Sequence, residues 1–237
     1  MHQPPSIQRR IDLVIFDCDG VLIDSEVISA NMLIAELRGY GVTMDLEFVA
    51  QNFLGRSYPA VLAEIRQTFG VALPDHFEAD YSARLLAAFE RDLTVMPGVV
   101  EAIAWLDRPM CVATSSSPER VAQSLALTGL TGLFGTDVFT ASRVSRGKPA
   151  PDLFLFTAAQ MGVDPAQCLV IEDSLNGVRA GLAAGMEVWR FVGGSHLAGL
   201  DLGAPPDAYA HWQFATFDGL YTRRPDLEKP RMTASHR

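Results

Sequence analysis

Five short apolar runs, at 11–16, 110–114, 137–140, 168–171 and 187–192, alternate with helix-like segments. No other feature constrains the fold as strongly. The first run, Ile11-Asp12-Leu13-Val14-Ile15-Phe16, is β-branched and almost continuously apolar, as strands buried on both faces are. A weaker sixth run covers 208–212. Between the runs lie helix signals. Ser116-Ser117-Pro118-Glu119 offers a serine cap, a first-turn proline and a glutamate that completes a capping box from Ser116. Pro151 opens the next helix, which stops near Gly162, and Ser174 opens another that stops near Gly185. This rhythm predicts an α/β fold with a doubly wound, mostly parallel Rossmann-like sheet. Right-handed crossovers would gather the strand C-termini on one rim, where such sheets bind ligands.

The segment from Glu26 to Val95 breaks the alternation. It holds no convincing strand and reads as amphipathic helices at 26–38, 46–53, 58–69 and 76–91, with breaks at Gly39-Tyr40-Gly41, Gly55 and Pro74. The first strand needs later strands to complete its sheet, so this block is expected to be an inserted all-helical domain. The expected division is a core of 1–25 and 95–221, a helical insert of 26–94 and a disordered tail of 222–237.

Chemistry concentrates at the strand ends. Asp17 and Asp19, in Asp17-Cys18-Asp19-Gly20, follow the first strand and lie two apart, so both face its C-terminal mouth. Glu172-Asp173 follows the 168–171 strand. Neighbouring carboxylates repel unless a cation or a shared proton relieves them. Their convergence without an arginine alongside suggests a hard divalent cation, for which Mg2+ is the natural choice. Thr114-Ser115-Ser116-Ser117 ends another strand and opens a helix, offering hydroxyls and free N–H groups to an anion. Of nineteen basic residues only two are lysines, Lys148 and Lys229. A chain that uses arginine almost everywhere places a compact point charge at Lys148, just before a helix at the same rim.

A net charge of −9 excludes nucleic acid as a general partner. It does not exclude a small anionic substrate, because a metal ion and a few cations reverse the field locally. Cys18, Cys111 and Cys168 lie in or at the end of apolar runs, with no metal-ligand spacing, and are expected to be buried thiols in a reducing cytoplasm. No apolar stretch approaches membrane-spanning length, and residues 1–10 lack the apolar core of a signal peptide.

The ordered set Asp17-Cys18-Asp19-Gly20-Val21-Leu22-Ile23-Asp24-Ser25, Thr114-Ser115, Lys148-Pro149 and Glu172-Asp173 resembles the four motifs of the haloacid dehalogenase superfamily of phosphotransferases. The likeness runs from Leu13 to Val192. A helical insert directly after the first motif looks like the small cap of the subgroup holding β-phosphoglucomutase and many sugar-phosphate phosphatases. Within it, the segments 16–28 and 109–112 look most like bacterial gluconate-phosphate phosphatases. The resemblance implies that Asp17 attacks phosphorus, that Asp19 exchanges protons with the leaving oxygen and with water, and that Thr114 and Lys148 hold the phosphoryl group. It implies Mg2+ held by Asp17, the Asp19 backbone carbonyl, Glu172 and Asp173. Ser115, Arg56 and Arg84 are candidate substrate contacts.

Where the mutase cap carries a histidine and an arginine, this chain has Ser29 and Tyr58. That favours water over a sugar hydroxyl as phosphoryl acceptor. The expected protein is a monomeric, Mg2+-dependent phosphatase acting on a small phosphorylated metabolite, a sugar or sugar-acid phosphate. A sugar-phosphate mutase and a non-catalytic binding protein on the same fold are the alternatives.

Overall fold

The computed structural model describes residues 10–200 and 203–230; the parts of the expected segments at 1–9, 201–202 and 231–237 lie outside them. Six parallel strands form one sheet: β1 (Leu13–Phe16), β2 (Met110–Thr114), β3 (Val138–Thr140), β4 (Cys168–Glu172), β5 (Glu187–Phe191) and β6 (Trp212–Phe214), in the order β3-β2-β1-β4-β5-β6. Ten helices accompany it among the described residues: α1 (Glu26–Arg38), α2 (Leu46–Asn52), α3 (Tyr58–Phe69), α4 (Phe77–Asp92), α5 (Val99–Trp105), α6 (Pro118–Leu127), α7 (Thr131–Phe134), α8 (Asp152–Met161), α9 (Leu175–Ala183) and α10 (Leu220–Arg223).

The two-residue period of a strand decides which core each side chain joins. Val14 and Phe16 of β1, with Val112 and Ile171, face a core shared with α5, α6 and α10. Leu13 and Ile15, with Cys111 and Val170, face a second core shared with α8 and α9. Both faces are covered, which is why the strands read as unbroken apolar runs.

The chain moves outward from β1 through β2 to β3, then returns to β4 on the other side of β1. The strand order therefore reverses between β1 and β4, and a crevice opens at their C-terminal ends. Phe16 pairs with Ile171 in that register, so the residues that follow each strand emerge side by side.

Helices α1 to α4 occupy the inserted stretch and pack around their own apolar cluster, including Leu33, Leu37, Val61, Leu62, Ile65, Tyr81, Leu85 and Phe89. The chain enters and leaves this block on adjacent paths, where Asp24 N donates to Thr94 O at 3.0 Å and Ile23 bridges Val95.

Three expectations are corrected. The sixth strand is Trp212–Phe214, not 208–212, because Pro205 and Pro206 set a 3-10 turn over Pro206–Ala208. The N-cap of α6 is Ser117, whose side chain accepts from Arg120 N, so the capping box from Ser116 does not form. The tail expected to be disordered from 222 is ordered through 230: it forms the turn Pro225–Leu227, buries Leu227 completely and bridges Leu106 with Glu228. Residues 231–237 of that expectation lie outside the described residues.

Candidate active site

Strand ends deliver the site. β1 stops at Phe16, and Asp17 N still donates to Ile171 O at 2.9 Å, which fixes Asp17 at the reversal point with its side chain buried. Gly20 then turns the chain at φ +79°. A Cβ there would stand 2.1 Å from Asp173 Oδ2, so only glycine lets this loop close over Asp173.

Lys148 reaches in from the turn before α8. Its Nζ, fully buried, lies 2.7 Å from Asp17 Oδ1, 2.7 Å from Glu172 Oε1 and 3.1 Å from Ala113 O. Burial works against the ammonium charge, but Asp17 and Glu172 outweigh it and hold Lys148 protonated. The second oxygen of Glu172 accepts from Ser174 N and Ser174 Oγ. Glu172 is thereby committed on both sides and acts as the anchor that aims Lys148. It packs beneath α9 against Gly177, where a Cβ would stand 1.7 Å from Glu172 Oε1.

Asp17, Glu172 and Asp173 present carboxylate oxygens within 4.8 Å of one another, all buried. Burial raises the Asp17 carboxyl well above its ordinary range, with Lys148 opposing; burial and then the Glu172 charge raise Asp173. Asp173 Oδ2 has no hydrogen-bond partner among the described residues, although His196 Nε2 lies 2.9 Å away, out of alignment. Four buried carboxylates, counting Asp19, face three cations among the described residues, Lys148, Arg120 and Arg190. That excess and the free oxygen of Asp173 fit a divalent cation.

Asp19 is held as a carboxylate. Burial pushes its carboxyl upward, but the Arg120 charge and hydrogen bonds from Ser116 and Ser25 outweigh burial and bring it below the usual value. Ser25 Oγ lies at 2.6 Å and Arg120 Nη2 at 2.8 Å from Oδ1; Ser116 Oγ lies at 2.6 Å and Thr114 Oγ1 at 3.5 Å from Oδ2.

A cavity of about 470 Å³ lies between the sheet rim and the inserted helices; its walls include Asp17, Asp19, Thr114, Ser115, Arg56 and Arg120. Ser115 Oγ is already engaged, donating to Gly55 O at 2.7 Å and tying the loop before α3 to the core. Arg56 stands in the wall with Nη1 3.6 Å from Glu64. Arg84 is not brought to the cavity. It forms a two-point ion pair with Glu36 at 2.7 and 2.8 Å on the outside of the inserted helices, so the expectation that it contacts substrate is corrected. Ser29 and Tyr58 do line the cavity, and the Tyr58 ring stacks on Tyr81 at 4.5 Å.

Sequence reasoning missed Arg120, Glu26 and His196, and it read Ser116 as a cap and an anion donor rather than as a partner of Asp19. Arg120 reads as a solvated helix residue. Its signal is its place, three residues after the Ser117 cap at the same rim. His196 lies two residues after Gly194, and a Cβ at Gly194 would stand 2.5 Å from the His196 ring, so that glycine makes room for it.

The sequence family described as haloacid dehalogenase-like hydrolase matches residues 11–185. The chain is 30% identical to 6-phosphogluconate phosphatase of Escherichia coli K12 over 79% of its own length and 85% of that protein's. It is 33% identical to the fructose-1-phosphate phosphatase YqaB of the same organism over 73% of its length and 93% of the relative's. A haloacid dehalogenase family hydrolase from Deinococcus radiodurans, solved with bound phosphate and sodium, superposes with a TM-score of 0.71 at 34% identity, covering 93% of this chain and 98% of that one.

Proposed function

The chain belongs to the haloacid dehalogenase-like hydrolase family and is a phosphatase, and from that premise we propose that it hydrolyses a sugar or sugar-acid phosphate through an aspartyl-phosphate on Asp17. The observation that carries the reading is the position of Lys148, 2.7 Å from both Asp17 and Glu172 and beside Asp173 at the strand reversal. A buried ammonium that joins a nucleophilic carboxylate to an acidic cluster is arranged to receive a phosphoryl group.

Asp17 attacks phosphorus while the ester P–O bond breaks and its electron pair passes to the leaving oxygen. Asp19, a carboxylate in the free protein, takes up the proton that the ester's phosphate monoanion brings in, gives it to the leaving oxygen, then takes one from the water that cleaves the acyl phosphate. Lys148 and Thr114 hold the phosphoryl oxygens. Asp17, Asp173 and the Asp19 carbonyl would hold Mg2+, with Glu172 beside them; the cation supplies charge neutralisation at the phosphoryl oxygens. Helices α1 to α4 act as a cap that encloses the ester and keeps bulk water out. Arg56 stands where it can meet the leaving group. The three cysteines, all free and buried, suit a reducing compartment such as the cytoplasm.

The test is a panel of phosphorylated metabolites read by phosphate release with Mg2+ and with EDTA. Turnover of sugar or sugar-acid phosphates, lost with EDTA and in Asp17→Asn, is expected. An active Asp17→Asn removes the nucleophile assignment. With β-glucose 1-phosphate, release of free phosphate supports hydrolysis, whereas formation of glucose 6-phosphate supports the mutase.

A further inference from the structure

We propose that Arg120 is a positioning residue that aims Asp19: it fixes Oδ1 and so reserves Oδ2 for proton exchange with the leaving oxygen. This deepens the phosphatase reading and rests on the acid–base role given there to Asp19. Oδ1 lies between Ser25 Oγ at 2.6 Å and Arg120 Nη2 at 2.8 Å. A guanidinium only donates, so the oxygen facing it has no room for an acidic hydrogen. Oδ2 faces Ser116 Oγ and Thr114 Oγ1, hydroxyls whose hydrogens rotate to suit either protonation state, on the side where the phosphoryl group is held.

The pairing is single-pronged. Arg120 Nε is buried and has no hydrogen-bond partner among the described residues. A two-pronged pair would occupy both oxygens of Asp19; this one leaves Oδ2 available.

Arg120 itself is seated by the cap. It stands on core helix α6, yet Nη2 also donates to Ser29 Oγ of α1 at 3.1 Å, and its Cζ lies 5.2 Å from the centre of the Phe89 ring of α4. Ser29 is held in turn, because Tyr81 Oη donates to Ser29 O at 2.8 Å. The inserted helices thus place the guanidinium, and the guanidinium places the carboxylate. In the first half-reaction the Asp17–P bond forms, the ester P–O bond breaks, and the leaving oxygen takes its new proton from Asp19 Oδ2.

The test compares leaving groups in single-turnover experiments with Mg2+. One substrate is the sugar phosphate cleaved fastest in the panel, an alkyl ester whose alkoxide needs a proton. The other is p-nitrophenyl phosphate, whose phenolate leaves without one. Arg120→Met should slow the alkyl ester by about 30-fold, a part of the roughly 10²–10⁴-fold that a placed general acid supplies, and slow p-nitrophenyl phosphate by less than about 3-fold. Arg120→Lys should recover part of the loss. Phe89→Leu and Ser29→Ala, which loosen the seat and leave Arg120 in place, should show the same bias at about 5-fold. These two variants decide the matter if Arg120→Met folds poorly. Equal losses on both substrates, or none on either, overturn the proposal. Failure of the phosphatase reading has a different signature: an active Asp17→Asn, or no turnover by the unaltered chain.

Discussion

Glu26 opens α1 with its carboxyl half-buried in the cavity wall. Burial, reinforced by the Asp19 charge, pushes that carboxyl from 4.5 to about 8. Between those values the folded chain binds a proton that the unfolded chain has released. The resulting stabilisation is complete below the unfolded value and fades as the pH rises to about 8. Glu26→Gln keeps a neutral side chain throughout. Its melting temperature should therefore rise relative to the unaltered protein between pH 5 and pH 8, by the equivalent of about 3–4 kcal/mol. Melting curves that stay parallel across this range would show that Glu26 ionises normally. Arg84 provides a contrasting case. Its ion pair with Glu36 lies on the outer surface, so Arg84→Ala should leave kcat/KM within about 2-fold.

At the scale of elements, α9 carries the tightest constraint. Its N-cap Ser174 accepts from Gly177 N and donates to Glu172, so the helix start and the Lys148 anchor are one hydrogen-bonded unit. Glu172 cannot retreat from a side chain at 177, because Lys148 and Ser174 hold both of its oxygens. Gly177→Ala should lose about 3 kcal/mol in urea titration, the upper end of the overpacking range, and turnover should fall as Lys148 loses its anchor. Gly162→Ala is the control. Gly162 closes α8 at φ +68° with open space around it, so that change should cost about 1 kcal/mol and leave turnover intact. Equal losses at the two positions would contradict the account. Helices with clear punctuation were readable in the amino-acid order: α1 between Ser25 and Gly39, and α3 between Ser57-Tyr58-Pro59 and Gly70, have the expected limits. Helix α5, seven residues long, has too little periodicity to register, and β6, with three, too little alternation. Within the site, the residues that follow strands, from Asp17 to Asp173, were legible because parallel strands share a rim. Arg120 and His196 were not, because tertiary packing alone turns a helix arginine toward Asp19 and a loop histidine toward Asp173.

For the whole molecule, core and cap meet through polar links around the cavity and through one small apolar cluster, in which Ala50 and Leu54 of the cap pack with Leu197 of the core. Ser115 Oγ reaches Gly55 O, Asn176 Nδ2 reaches Leu54 O, and Ser195 binds Asp24 where the chain enters the cap. A junction with so small an apolar part suits relative motion of core and cap. The far side of the core is tied differently. Composition marks 222–237 as a solvated tail, yet its first part crosses α5 as a strap. Asp107 N donates to Leu227 O at 2.8 Å, Lys229 N to Trp105 O at 2.8 Å, and Arg224 pairs with Glu187 of β5 at 3.1 Å. One apolar side chain decides the outcome: Leu227, completely buried, joins the core that also contains Val99, Ile103 and Leu106. A single leucine among prolines and charges gives no periodicity to read, so its anchoring was invisible in the sequence. Leu227→Ala should cost about 2–5 kcal/mol, the usual range for a buried leucine, and lower the melting temperature by roughly 5–15 °C for a chain of this size. Leu227 does not line the cavity, so kcat/KM measured well below the transition should stay unchanged. A melting temperature equal to that of the unaltered protein would mean that the strap contributes nothing to stability, as a disordered tail would.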